Sequence, residues 1–532
     1  MNFKSIFFAL LLIVLSANFA IGQSTDFKVT KSEIFKDKNT NSDLAFSASD
    51  DKGGLVLLRH LYSKLGMNSR GYILEYYDEN LKLVNQKEFE DKKSGIKGMF
   101  VKDNTVNLIE CIVNKSEETI EYNVIKGSLS DFNFTKNNIF SIGKDNVRSP
   151  FAIGVGLFFF SNFSQIDHDP YGEVRISATG KYIAFNFDIK NKKQETHRVL
   201  VYDNQLNKVY EKEFSENIKD KYFKYNSFEV SDEDGTVYFL GKAYKNESFK
   251  DRVDDQINYT YKLYSINNSG VNSKSFETND TYINSLEVLL NQKGLFCIGM
   301  YSEKNSNDFR GFAYYKLDKN ELTVQKTKMT PFSEQFMIDK HGEKKGKKKS
   351  DKKKEISDVV YRDFFISDNN EIYFNAEEFY ITTHTTFGPN GQTSTRTVYH
   401  YNDIYSCKFN FEGEMIWMRT INKGQATSGL TDYLSFTSGV KDGKMYLFLN
   451  GDDDVKKLKD NRIAFAQASV KKMNLYVIEI EPNGDFNYKI LISDKDSKVT
   501  YRTNGGLFSN KFSAIFLEGN KGRDKRIAKI EL

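Results

Sequence analysis

Between Asn226 and Thr330 the chain writes one pattern of apolar and polar positions twice. The first copy reads NSFEV, a turn DEDG, TVYFLGKAY, a gap, YTYKLYSI, a turn NNSG and VNSKSFE. The second reads NSLEVLL, a turn NQKG, LFCIGMY, a gap, GFAYYKLD, a turn at Asn320 and ELTVQKTKM. Apolar alternation over about 5–8 residues predicts half-buried strands, and Asp, Asn and Gly mark the reversals between them. Each copy is a four-stranded meander. A meander that recurs along a chain predicts the blade of a β-propeller.

The rest of the chain follows the same pattern. Repeat one runs from DLAFSAS to LKLVNQKEF and repeat two, the least regular, from IKGMFV to FNFTKNNIF. Repeat three runs from GEVRIS to KVYEKEF, repeat six from VVYRDFFIS to EMIWMRTI and repeat seven from YLSFTSGV to DFNYKILI. Repeat eight, TYRTNGGLFS, KFSAIFLEG and RIAKIEL, lacks a fourth strand, while Phe27 to Phe35 is a strand with no neighbour in sequence. Open edges and uncovered end faces are costly. The expectation is therefore an all-β propeller of four-stranded blades, eight of them with seven as the runner-up. The amino-terminal strand would close it by pairing beside Ile527 to Leu532.

Turns between strands one and two are short throughout (DDKG, KDN, ATG, DEDG, NQKG, DNN, KDG), and so are those between strands three and four. Long segments fall between strands two and three or between blades. Both of those connections lie on one face of a propeller, so one face is trimmed and the other carries the insertions. Loops on a rigid scaffold are the usual place for binding.

The stretch ISATGKYIAF in repeat three resembles the strand-turn-strand of TolB-type and WD40-like propellers, and GEMIW at Gly413 to Trp417 resembles the outer-strand turn of many propeller repeats. The resemblance covers about ten residues and implies the fold class alone.

Composition adds location. Met1 to Gly22 has the form of a secretory signal: Lys4, an apolar core from Ile6 to Leu15, and the small-x-small site Ala20-Ile21-Gly22. Residues 23–532 are then one exported propeller domain, in the periplasm or at the cell surface, with no transmembrane segment. A chain rich in Lys, Asn, Phe and Tyr, with only five Pro, resembles secreted proteins of AT-rich Gram-negative bacteria. Net charge is +4 over 532 residues, which gives no general argument for nucleic acid. Cys111, Cys297 and Cys407 sit inside separate strand patterns, which predicts buried thiols rather than disulfides or a metal set.

Candidate chemistry is sparse. The insertion Gly143 to Asp169 ends Asp167-His168-Asp169, a ligand-binding candidate whose plainer reading is a polar turn before Pro170. The polar segment Thr382 to His400 offers His384, Arg396, Tyr399 and His400 to an anionic or sugar ligand; its plainer reading is a Thr-rich hairpin. Residues 340–355 are expected to be a disordered basic loop. Lys344, Lys345, Lys347, Lys348 and Lys349 offer weak contact to an anionic surface, and a solvated tether is the plain alternative. Nucleophile elbows, zinc-protease helices, phosphate loops and dinucleotide glycine patterns are absent, and neither metal nor cofactor is expected. The sequence reading is a non-enzymatic binding or scaffold protein that engages a protein or glycan through its long-loop face. Its alternative is a polysaccharide- or peptide-acting hydrolase or lyase with carboxylates at the channel mouth, since such residues need not be neighbours in sequence.

Overall fold

The computed structural model describes residues 27–532 except 37–41, 64–68, 91–93, 148–170, 192, 220–221, 255, 277–280, 304–307 and 388–392. Among these residues the chain forms eight sheets, antiparallel except where Lys423–Thr427 of the sixth runs parallel to Ile463–Ala466, besides a two-stranded ribbon of Arg252–Val253 with Gln256–Ile257. The fourth sheet is typical. Its strands Phe223–Val230, Val237–Tyr244, Tyr259–Asn267 and Gly270–Phe276 pair in chain order.

Burial explains the sequence pattern. Val237–Tyr244 is buried along its whole length, because other sheets pack on both its faces, so its residues are nearly all apolar. Gly270–Phe276, the outermost strand, is exposed along most of its length and polar.

The core is a series of clusters, each shared by two successive sheets. Tyr261 and Leu263 of the fourth sheet pack with Leu286 and Tyr315 of the fifth. Leu108 of the second packs with Leu58 and Leu74 of the first. The eighth sheet meets the first in the same way: Ala514, Phe516 and Ile527 pack with Leu55, Leu57 and Tyr77. Sheets arrayed face to face in this way are a β-propeller.

The two ends of the chain share the eighth sheet. Lys28–Lys31 runs antiparallel to Asp524–Glu531, with Val29 opposite Ile530. Lys28 Nζ lies 2.9 Å from Glu531 Oε1.

The short turns have a common construction. Asp78, Asp203 and Asn410 each use one side-chain oxygen to accept the backbone N–H groups two and four residues ahead. That side chain stands in for a backbone turn.

The basic loop is a correction. Residues 340–355, expected to be disordered, include the end of helix α1 (Glu334–His341) and all of helix α2 (Glu343–Asp351). Ser333 caps α1 by accepting from Phe336 N–H, and Phe336 and Met337 are fully buried. Asp339 pairs with Arg419 at 2.6 Å, and Lys340 reaches Glu378, Asp403 and Tyr405. Gly342, at φ 86°, turns the chain into α2. Gly346 lies so close to α1 that a Cβ would meet Ile338 Cα at 2.5 Å. Lysine composition hid this, because the apolar anchors lie before the run and the closest contact inside it is a glycine. Lys344, Lys345, Lys347 and Lys348 are exposed on α2, Lys349 is half-buried, and Lys347 pairs with Glu343 at 3.0 Å.

Candidate functional site

The first strand of each sheet adjoins the first strand of the next: Ser42–Ser49 with Ser94–Lys102, that with Glu173–Ile176, and so on to Leu507–Ser509, which adjoins Ser42–Ser49 again. These strands wall the central axis. Five of them carry a register shift, between Leu44 and Phe46, Ile96 and Gly98, Tyr225 and Ser227, Ile283 and Ser285, and Tyr361 and Asp363. A bulge bends its strand and re-aims the side chains beside it. The freed groups stitch neighbouring strands together. Asn226 Nδ2 donates to Leu286 O at 3.1 Å, Val288 N–H donates to Ser227 Oγ at 3.3 Å, and Arg175 Nε donates to Phe228 O at 3.2 Å.

Three of these strands, in the third, fourth and fifth sheets, bring ionisable groups together. They are Glu173 and Arg175, Tyr225 and Glu229, and Glu287. Burial opposes the Arg175 charge, but the Glu229 carboxylate, with Tyr225 and Glu173 behind it, raises its pKa. Burial also raises the Glu229 carboxyl, and Arg175 only partly offsets this. Glu287 is pushed up to about 7, first by burial and then by Glu229, while the Ser227 hydrogen bond and Arg175 pull the other way. Tyr225 is raised by burial and by its bond to Glu173. On the sixth sheet burial pushes Asp363 up to about 6, against the Ser438 hydroxyl and Arg362.

These groups are desolvated and yet keep accessible surface; Arg175 is exposed and Glu229, Glu287 and Asp363 are half-buried. Their mutual charges place Arg175, Glu229 and Glu287 within reach of one another beside the axis. A carboxyl with a pKa near 7 there is poised to give or take a proton at neutral pH. A guanidinium beside it presents a planar fork to an anion or a developing oxyanion.

Asp167, His168 and Asp169 lie outside the described residues. The structure brings the other four candidates onto one ribbon, built from Glu371–Phe387 and Thr393–Asn410. His384 stands opposite Arg396, both exposed. Tyr399 stands opposite Ile381, and His400 stacks on Tyr380 at 4.4 Å, with Thr382 Oγ1 2.9 Å from its Nε2. Among the described residues no cluster of three or more His, Cys, Asp or Glu has a metal-holding arrangement. No helix among them is long and apolar enough to cross a membrane.

Sequence reasoning did not pick out Arg175, Glu229 or Glu287, though a signal was present. NSFEV and NSLEV place a Glu at the same position of two consecutive repeats, each preceded by an Asn-Ser pair at the bulge.

No protein-family model matches the chain, and no curated protein does. Solved structures resemble it. The β-propeller domain of the trilobed protease from Pyrococcus furiosus has a TM-score of 0.34 at 11% identity, over 82% of this chain and 93% of that one. The Pyrococcus horikoshii acylaminoacyl peptidase has a TM-score of 0.34 at 12% identity, over 80% of this chain and 49% of the peptidase. The apo prolyl oligopeptidase B from Galerina marginata has 0.37 at 10%, over 90% of this chain and 56% of that one. The chain thus spans about half the length of those two enzymes. At such identities the likeness is one of fold.

These findings correct the sequence reading of a non-enzymatic binding or scaffold protein. The matched structures are peptidases or a protease's propeller domain.

Proposed function

We propose that the chain is a hydrolase that works in its axial passage on a polysaccharide or peptide strand. Glu287 is the general acid, Glu229 its carboxylate partner, and Arg175 the cation that polarises the bond or holds an anionic group. The observation that carries this reading is the meeting of Arg175, Glu229 and Glu287 from three successive sheets in a desolvated but water-accessible place. The reading keeps the exported location drawn from the signal-like start of the chain.

A panel of glycans and peptides incubated with the full chain tests it. Turnover should fall about 10²–10⁴-fold in E287Q, the usual contribution of a positioned acid. It should persist in E414Q, which changes an exposed carboxylate of the sixth sheet's outer turn. The rate should also decline above about pH 7 as Glu287 loses its proton. No turnover across the panel, or turnover indifferent to E287Q, overturns the reading.

A further inference from the structure

Phe249 is 52% exposed, on the connection between the second and third strands of the fourth sheet. A large apolar ring held in water gains little for folding, yet this one is held in place. Asn258, itself 1% exposed, donates through Nδ2 to Ser248 O at 2.8 Å and to Lys250 O at 3.0 Å, the two residues that flank Phe249. Its Oδ1 accepts from Asn246 N–H at 2.9 Å. Asp251 ties the loop to the sheet by accepting from Lys242 Nζ at 2.8 Å and Tyr244 OH at 2.9 Å.

The ring is seated on two others. Tyr222 lies 5.2 Å from it, centroid to centroid, and Tyr244 meets it edge-on at 5.9 Å. Lys224 Nζ stands 5.8 Å from both the Tyr244 and the Phe249 rings, and makes no ion pair among the described residues. Lys224 belongs to the first strand of the fourth sheet, next to Tyr225 of the axial group, and Phe249 lies on the connection after the second strand, so the platform is on the long-loop face.

We propose that Phe249 and Lys224 form a binding subsite for an acidic sugar unit of a polysaccharide. An aromatic face carries negative charge and the C–H face of a pyranose ring carries positive charge, so the two stack. A free ammonium at the platform's edge selects a carboxylate or sulfate on that ring. This deepens the hydrolase reading by naming its substrate class, and it rests on that reading only for what happens after binding.

Calorimetric titration of the full chain with a hexa-uronate and with its carboxyl-reduced neutral counterpart tests it. The uronate should bind more tightly than the neutral chain. F249A should weaken both about tenfold at unchanged melting temperature, since the ring is half in water. K224Q should remove the preference for the acidic probe, and K224R should restore it. Uronate binding by the full chain with no turnover of the uronate leaves the subsite standing and sinks the hydrolase instead. Equal affinity for the two probes, binding unaffected by F249A, or a preference for an acidic peptide over the uronate overturns the subsite.

Discussion

Arg59 of the first sheet and Glu518 of the eighth form an ion pair in which each side chain is 1% exposed. Arg59 also holds Glu75 through Nε at 2.8 Å, and Arg502 approaches Glu518 at 3.5 Å. The seam between the first and last sheets is thus charged as well as apolar. Burial alone would raise the Glu518 carboxyl, but Arg59, Arg502 and Lys525 outweigh it and hold it down at about 2. R59M would leave two buried carboxylates short of their partner, at a cost of about 3–5 kcal/mol. The Glu518 contribution is present above its unfolded value of 4.5 and is lost as pH falls through 2. Urea unfolding of wild type and E518Q at pH 7 and pH 3.5 checks this, with the smaller acid-induced loss expected in E518Q.

Glu287 has the opposite sign. Its folded value of about 7 lies above the ordinary 4.5, so the folded state binds the extra proton and loses stability as pH rises from 4.5 through 7. E287Q should therefore be more stable than wild type at pH 8, and equal to it at pH 4. After allowance for the water that reaches the group, the gain is about 1 kcal/mol. Denaturant midpoints at the two pH values decide it, independently of any substrate.

His341, between α1 and α2, is pushed down to about 4 by burial and by the charges of Lys349, Lys340, Lys345 and Arg462. The folded state refuses a proton that the unfolded chain accepts below 6.5, so stability falls as pH drops from 6.5 toward 4. H341Q should lose less melting temperature than wild type between pH 7.5 and pH 5.

Removing residues 27–36 would bare the outer edge of Asp524–Glu531. An uncovered strand edge templates association. The shortened protein should scatter light at concentrations where the full chain does not, and should melt lower. A truncation that stays monodisperse and equally stable would contradict this role for the strand.

The blade pattern was legible because the second and third strands are covered on both faces, and burial demands near-continuous apolar runs such as TVYFLGKAY and LFCIGMY. The pairing of Phe27 to Phe35 with the last strand was legible from a missing fourth strand at one end and a surplus one at the other. The axial group was not. Arg175, Glu229 and Glu287 come from three repeats, and a polar residue on a half-buried strand reads as solvent-facing until the neighbouring strands are in place. Helix α2 was hidden for a related reason. Its contact with α1 is made through Gly346, and a close backbone approach leaves no apolar periodicity to find.

A fold whose first and last strands belong to one sheet cannot be finished piecemeal. Most of the other sheets are contiguous in sequence and can assemble as their residues emerge during synthesis. The last one waits for residue 531, and Lys28–Lys31 must stay unpaired until then. Joining it closes the longest loop in the molecule and carries the largest entropic penalty of any contact there. The meeting of these two strands is therefore expected to be slow.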